Sequence, residues 1–153
     1  MPIPKALAQA VTQWVDVFMF RSVQDLMQFL RENDLSMAHY VIFMQLHKLG
    51  PSGVTEIARL LAVSRPAASQ MVDRLVAQGW LARAEDRRDR RFTRLTLTPA
   101  GTAMTLRCIA ARTRWLNNLP ALTVEQQTII CDGLQALTEA ATTLMGREQE
   151  LNE

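Results

Sequence analysis

The chain has 153 residues, 48% of them hydrophobic, which is enough to bury a core and excludes a globally disordered chain. The formal net charge is +2, but residues 51–101 carry nine arginines against five acidic residues, a net charge of +4. Residues 1–50 balance four basic against four acidic side chains, and residues 102–153 have four basic and six acidic ones, a net charge of −2.

Two helices are predicted before residue 51. The first, Ala6–Arg31, has apolar residues mostly at steps of three and four, and this stripe is wide enough for more than one packing partner. Ser36 is a predicted N-cap for the second helix, Met37–Leu49, which ends at Gly50 and Pro51. Because the second helix has little polar surface, we expect it to be buried on most sides.

Two short helices joined by a tight connection come next. Thr55 is expected to cap the first of them, Glu56–Leu61. After the connection at Ala62 and Val63, Ser64 is expected to cap the second, which runs to about Gln78. Two helices at this spacing are typical of the helix-turn-helix motif.

A β-hairpin and two more helices complete the predicted elements. Residues 80–84 and 92–97 are predicted as strands on either side of a charged loop, which makes a wing. Thr98 and Pro99 open a fifth helix to about Asn117, and a capping box begun by Thr123 opens a last helix to about Met145. The predicted fold class is therefore mainly α: a winged helix-turn-helix with a small β-hairpin wing, flanked by N- and C-terminal helices.

The second short helix is the first candidate site. An α-helix fits the major groove of duplex DNA and presents its side chains to base edges. If the apolar stripe at Ala68, Met71, Val72 and Leu75 points inward, polar residues face outward. The candidate base contacts are Arg65, Pro66, Ser69 and Gln70, and the candidate phosphate contacts are Thr55, Ser64 and Arg74. A solvated polar face without a partner is the alternative.

The charged loop of the hairpin is the second candidate site. It holds four arginines and three acidic residues within residues 85–91. Arginine suits phosphates, and an arginine at a hairpin tip can enter an A·T-rich minor groove, where the potential is most negative. We predict Arg90 and Arg91 for the minor groove and Arg87 and Arg88 for phosphates, with Asp86 and Asp89 orienting the arginines. A solvated hairpin is the alternative.

Residues 54–101 resemble the multiple antibiotic resistance regulator (MarR) family of winged-helix proteins. The resemblance is carried by Thr55-Glu56-Ile57-Ala58, Val63-Ser64-Arg65-Pro66, Met71-Val72-Asp73-Arg74-Leu75 and Gln78-Gly79-Trp80-Leu81. The most telling segments are Asp89-Arg90-Arg91 and Leu95-Thr96-Leu97-Thr98-Pro99-Ala100-Gly101. The flanking helices agree with the family in number, length and order, which extends the resemblance loosely to the whole chain.

The resemblance implies a homodimeric transcriptional regulator, usually a repressor, that binds near-palindromic sites in double-stranded DNA. Dimers of this family are built by interleaving N- and C-terminal helices. The resemblance therefore implies that residues 1–33 and 99–148 serve dimerisation and residues 36–98 serve DNA binding. Asp89 and Arg91 resemble the family's wing pair, in which the aspartate positions the arginine. Apart from the resemblance, the terminal helices carry more apolar surface than a winged-helix module covers, although packing within one chain is the alternative. A two-fold dimer places its recognition helices about 34 Å apart.

A small aromatic or apolar ligand is a further expectation, because many members of this family release DNA when an effector binds. The family's ligand cleft usually lies between the dimerisation helices and the DNA-binding lobe. The corresponding residues here are Trp14, Phe18, Tyr40, Met44 and His47. Ordinary core packing is the more frequent role of such residues. Oxidation sensing is not expected, because Cys108 and Cys131 lie on predicted helices in apolar neighbourhoods.

Enzymatic activity is not expected. The sequence has no Gly-rich phosphate loop, no G-x-S-x-G and no H-E-x-x-H, and its two histidines lie on one predicted helix. Neither cysteine has a partner at zinc-ligand spacing, so we expect no metal or other cofactor. We also expect neither a signal peptide nor a membrane-spanning helix, and hence a cytoplasmic protein. A winged-helix module that contacts only other proteins is the alternative to DNA binding.

Overall fold

The computed structural model describes residues 3–85 and 93–150. Strands β1 (Leu81–Glu85) and β2 (Thr93–Leu97) pair antiparallel, with Leu81 opposite Leu97. The predicted mainly α fold with a two-stranded hairpin is confirmed. The chain divides after Asn118 into two compact units. The helices are α1 (Lys5–Glu32), α2 (Met37–Leu49), α3 (Val54–Leu60), α4 (Arg65–Ala77), α5 (Pro99–Ala111) and α6 (Val124–Glu150), with a 3-10 helix at Arg114–Asn118.

The core of the first unit surrounds α2, which packs against α1, α5 and β2. Ile42 and Phe43 are fully buried, and the Phe43 ring meets the Trp80 ring edge-on, with centroids 5.8 Å apart. The expectation that α2 is buried on most sides was too broad, because His47 and Leu49 are exposed on its last turn. One side of α2 therefore remains open, and it forms part of a cleft described below.

The helix-turn-helix consists of α3 and α4. Ser64 caps α4 as predicted, its Oγ accepting the Ala67 N–H at 3.3 Å. The predicted Thr55 cap of α3 is wrong: α3 begins at Val54, and Glu56 Oε2 accepts the Gly53 N–H at 2.8 Å. A carboxylate in the first turn is favoured there because it meets unpaired backbone N–H groups at the positive end of the helix dipole.

The base of the wing is fastened at two places. Ser52, between α2 and α3, pairs with Leu95 of β2 through two backbone hydrogen bonds, of 3.2 and 2.8 Å. Thr98 Oγ1 donates to Gly79 O at 2.6 Å and caps α5 by accepting the Gly101 N–H at 3.0 Å. Gly101 leaves no space for a side chain, because a Cβ there would lie 1.9 Å from the Trp80 carbonyl oxygen.

The fifth helix is shorter than predicted, ending at Ala111 rather than near Asn117, and the 3-10 helix follows it. That change of winding accompanies a buried contact, in which Trp115 Nε1 donates to Ser22 Oγ at 3.3 Å. The Trp115 ring also lies 6.0 Å from Trp14 and 6.1 Å from Phe18. The 3-10 helix therefore packs against α1 as well as following α5.

The second unit contains α6. The predicted capping box is present: Thr123 N donates to Gln126 Oε1 at 2.9 Å, and Thr123 Oγ1 accepts the Gln126 N–H at 3.2 Å. The helix continues through Gly133 without interruption and past the predicted end near Met145. Across the described residues, no helix is long and apolar enough to cross a membrane.

Candidate nucleic-acid interface

The exposed face of α4 carries most of the predicted base contacts. Ala68, Val72 and Leu75 are fully buried, which fixes the rotation of the helix about its axis. The opposite face therefore points to solvent. On it Arg65, Pro66, Gln70 and Arg74 are exposed, whereas Met71 and the predicted contact Ser69 are half-buried. Three of the four candidate base contacts thus lie open on one helix.

The two predicted phosphate contacts near helix N-termini are also open. Thr55 is exposed in the first turn of α3, and Ser64 is exposed just before α4. Ser64 Oγ uses a lone pair to accept the Ala67 N–H, so its own O–H stays available to donate to an outside acceptor. Both hydroxyls lie where the helix dipole favours anions.

Two ion pairs join the wing strands to the helix-turn-helix, and neither was predicted from the sequence. Arg83 of β1 donates to Asp73 Oδ1 of α4 at 2.6 Å. Arg94 of β2 donates to Glu56 Oε2 of α3 at 3.4 Å and to Pro51 O at 3.3 Å. Strand alternation was the signal available for Arg83, because it puts that side chain on the same face as buried Leu81.

The predicted tip of the wing, with Asp86, Arg87, Arg88, Asp89, Arg90 and Arg91, lies outside the described residues. What the structure describes is the base from which that loop extends. Because Asp73 and Glu56 already have arginine partners, the surface around α4 keeps the positive charges of Arg65 and Arg74. A cationic helix face beside a hairpin is the arrangement that suits a polyanion.

Comparison with known proteins shows which family this arrangement resembles. Residues 35–93, which cover α2, the helix-turn-helix and β1, match the sequence model of the MarR family. Over these residues the chain is similar to MarR family proteins. It is 32% identical over 82 residues to the uncharacterized HTH-type transcriptional regulator YpoP of Bacillus subtilis. That alignment covers 54% of this chain and only 58% of the Bacillus protein.

Solved structures extend the likeness over the fold. Transcriptional regulator Tm0710 from Thermotoga maritima superposes with a TM-score of 0.79 at 24% identity, covering 90% of this chain and 98% of that one. A cysteine-to-serine mutant of MarR from E. coli, solved in complex with operator DNA, superposes with a TM-score of 0.52 at 20% identity. It covers 84% of this chain and 93% of that one.

The five predicted effector residues fall into separate groups in the structure. Tyr40 and Met44 line a cleft of about 340 Å³. Trp14 and Phe18 pack instead against the Trp115 ring. His47 is exposed and belongs to neither group. Arg112 Nη1 donates to Tyr40 Oη at 3.1 Å on the wall of the cleft. The other lining residues are Val41, Gln45, Lys48, Leu49, Leu60 and Arg112, none of which was predicted as an effector contact.

His39 connects the start of α2 to the charge on α4. Its Nδ1 accepts the Ser36 N–H at 3.3 Å, and its own backbone N–H donates to Ser36 Oγ at 3.2 Å, which completes a capping box. Burial lowers the pKa of the His39 imidazole, and the positive charge of Arg74 acts in the same direction. The neutral ring is the form that accepts the Ser36 hydrogen bond, so burial, the Arg74 charge and the hydrogen bond all favour the neutral imidazole.

The two cysteines differ in exposure. Cys108 is fully buried on α5, and burial raises the pKa of its thiol to about 11. Because the thiolate is the reactive form, Cys108 is poorly suited to oxidation at neutral pH. Cys131 is exposed on α6. Among the described residues, no group of three or more His, Cys, Asp or Glu side chains is placed to hold a metal ion.

Proposed function

We propose that this chain is a sequence-specific double-stranded DNA-binding transcriptional regulator that acts as a homodimer. The observation that carries the proposal is the face of α4, where Arg65, Gln70 and Arg74 are exposed opposite a fully buried stripe. The operator complex of the similar E. coli protein supports the same use of this fold. Regulation rather than catalysis is the activity that such a face supports.

In this proposal, α4 enters the major groove. Arg65 and Gln70 read base edges, because a guanidinium forks to guanine and a carboxamide to adenine. Arg74, Ser64 and Thr55 hold phosphates and fix the register of the helix on the duplex. The predicted wing residues Arg90 and Arg91 enter the adjacent minor groove, with Arg87 and Arg88 on phosphates and Asp89 orienting them.

The dimer is proposed from the apolar surface that the single chain leaves open. On α1, Phe20 is 64% exposed, and on α6, Ile129 is 64% exposed. Single exposed apolar residues are ordinary on protein surfaces, but these two helices carry series of them. The series comprise Leu7, Trp14, Val15, Val17, Met19, Phe20, Val23 and Met27 on α1, and Val124, Ile129, Ile130, Leu134, Leu137 and Leu144 on α6.

Selection from a random-sequence duplex library tests the DNA-binding proposal, because the selection does not require the operator to be known. We expect the wild-type chain to enrich a near-palindromic site, and anisotropy titrations to show tight binding that weakens steeply with salt. Arg65→Ala and Gln70→Ala are expected to lose about 1–3 kcal/mol each at their own base positions. Arg74→Ala is the comparison variant, because the loss of a phosphate contact should weaken binding to all sequences alike. Equal, weak binding to every duplex would contradict the proposal.

We further propose that the regulator is a repressor and that a small aromatic or apolar ligand releases it from DNA. The cleft lined by Tyr40 and Met44 supports this proposal, because Leu60 at the end of α3 also lines it. A ligand there contacts the DNA-binding region, and it shifts the equilibrium by the difference between its affinities for the bound and released forms. Trp14, Phe18 and His47 remain predictions for the same role.

A promoter fusion and a ligand screen test this second part. Repression predicts that expression from the selected operator falls when the protein is present. Compounds that release the wild-type protein from its operator are then compared on Met44→Ala, which tests the cleft, and on His47→Ala, which tests the predicted effector residue outside it. Release that is weakened in Met44→Ala and unchanged in His47→Ala supports the cleft, whereas the opposite pattern contradicts it.

A further inference from the structure

The ion pair between Arg83 and Asp73 is short although its members are accessible. The Arg83 Nη2 to Asp73 Oδ1 distance is 2.6 Å, and the two side chains are 40% and 55% exposed. Ion pairs this exposed add little to folding stability, because water solvates both charges when the pair is broken. The stability of the fold therefore explains little of why this contact is made.

The position of the pair suggests a different role. Asp73 lies one helical turn after Ser69 and Gln70 and directly before Arg74, so it borders the outward face of α4. A carboxylate at that border faces the same direction as side chains that are proposed to meet DNA. Left alone, it would oppose the approach of phosphates, which carry the same sign of charge.

Arg83 is directed toward α4 by the geometry of the hairpin. It shares a strand face with Leu81, which is buried in the core, and it pairs across the sheet with buried Leu95. The Arg83 guanidinium, in the base of the wing, thus extends from the edge of the core to Asp73 on α4. The contact links the wing to the recognition helix.

We propose that Arg83 is a positioning residue for DNA binding, which neutralises Asp73 beside the recognition face of α4. This inference rests on the proposed function. In the free chain, water screens the carboxylate, but a duplex seated on α4 excludes that water, so the charge must be compensated within the protein. The effect of the pair should therefore appear in DNA binding far more than in unfolding.

A double-mutant cycle separates this role from a direct contact between Arg83 and phosphate. The variants are Arg83→Ala, Asp73→Asn and the two combined, with Arg31→Ala, an exposed arginine on α1, as the control for losing one positive charge. Each is titrated by anisotropy against the duplex selected by the wild-type chain and against a scrambled duplex, and each is unfolded thermally.

Neutralisation predicts a specific pattern across the cycle. Arg83→Ala should lose on the order of tenfold in affinity for the selected duplex, because it leaves Asp73 uncompensated. The combined variant should recover most of that loss, because the carboxylate is gone as well. All variants should melt within about 2 °C of wild type, as expected for an exposed pair.

The remaining outcomes overturn one proposal or the other. A wild-type chain that does not discriminate the selected duplex from the scrambled one overturns the proposed function, and this inference with it. Wild-type discrimination with Arg83→Ala no weaker than Arg31→Ala overturns only the positioning role. A combined variant as weak as Arg83→Ala also overturns it, because Arg83 would then act on the DNA itself.

Discussion

The helix-turn-helix with its wing base and the two long helices reach their structures by different means. Between Ser52 and Thr98, the apolar side chains Ile57, Val72 and Leu95 are fully buried within one chain. On α1 and α6, large apolar side chains remain open, as at Phe20 and Ile129. The helix-turn-helix with its wing base is therefore stabilised by packing within one chain, whereas the long helices have apolar surface that a second chain can cover.

The largest effect is expected where the packing leaves no space. Gly101→Ala places a Cβ against the Trp80 carbonyl oxygen, and backbone atoms must move to admit it. We expect a loss of about 3 kcal/mol in the free energy of unfolding, measured by urea denaturation.

Gly133→Ala is the matched substitution in the other region. It lies within α6, and a Cβ there meets nothing within 4 Å. Because alanine favours a helix interior over glycine, the variant should gain about 0.8 kcal/mol. Equal effects at the two glycines would remove the distinction between the packed and the open region.

The next effect tests whether a second chain covers α1. Phe20→Glu should weaken the dimer by about 2 kcal/mol, since it puts a charge in place of an apolar contact. Sedimentation across a concentration series measures this shift. Gln24→Glu, exposed on the same helix, adds the same charge without removing an apolar side chain. A monomeric wild-type chain, or equal dimers in both variants, would contradict the dimer proposal.

The sequence predicted helix starts well where a side chain bonds to the backbone a few residues away. The caps at Ser36, Ser64 and Thr98 form as the sequence indicates, because each needs only a hydroxyl and a nearby N–H. The cap at Thr55 failed because α3 begins one residue earlier, at Val54, and Glu56 accepts the Gly53 N–H. Neighbouring residues that can each cap a helix end are hard to separate from sequence alone.

Contacts between distant residues could be predicted only in part. The buried stripe of α4 indicated the outward direction of Arg65 and Gln70 correctly. The Arg83–Asp73 pair and the Arg112–Tyr40 bond depend on how strands and helices meet in space. The early end of α5 likewise accompanies the contact of Trp115 with α1, a tertiary contact that no local pattern contains.

A smaller effect is expected from pH, at His39, where α2 meets the charge of Arg74. The pKa of His39 is lowered in the folded chain, so the unfolded chain binds a proton more readily. Stability is therefore complete above about pH 6.5, the pKa expected for an unfolded histidine, and falls as the pH decreases toward the folded value. The slope from this one proton is at most about 1.4 kcal/mol per pH unit.

His39→Gln removes this titration while keeping a capping partner. Glutamine at the third helical position can accept the Ser36 N–H as histidine does. Urea denaturation between about pH 7.5 and about pH 5 should show a smaller loss of stability in this variant than in wild type. Parallel pH profiles for the two proteins would show that His39 does not carry the dependence.

The smallest effect concerns the turn between α3 and α4, where Ala62 has a φ of 53°. A Cβ in the left-handed region is strained, and glycine removes that strain but adds freedom to the unfolded chain. We expect Ala62→Gly to gain about 0.5 kcal/mol in the free energy of unfolding. The same change at Ala140, inside α6, should lose about 1 kcal/mol, because glycine is unfavourable in a helix interior. A gain in the free energy of unfolding at Ala62 and a loss at Ala140 would show that the turn holds Ala62 in a strained conformation. A loss at both positions would mean that Ala62 carries no strain.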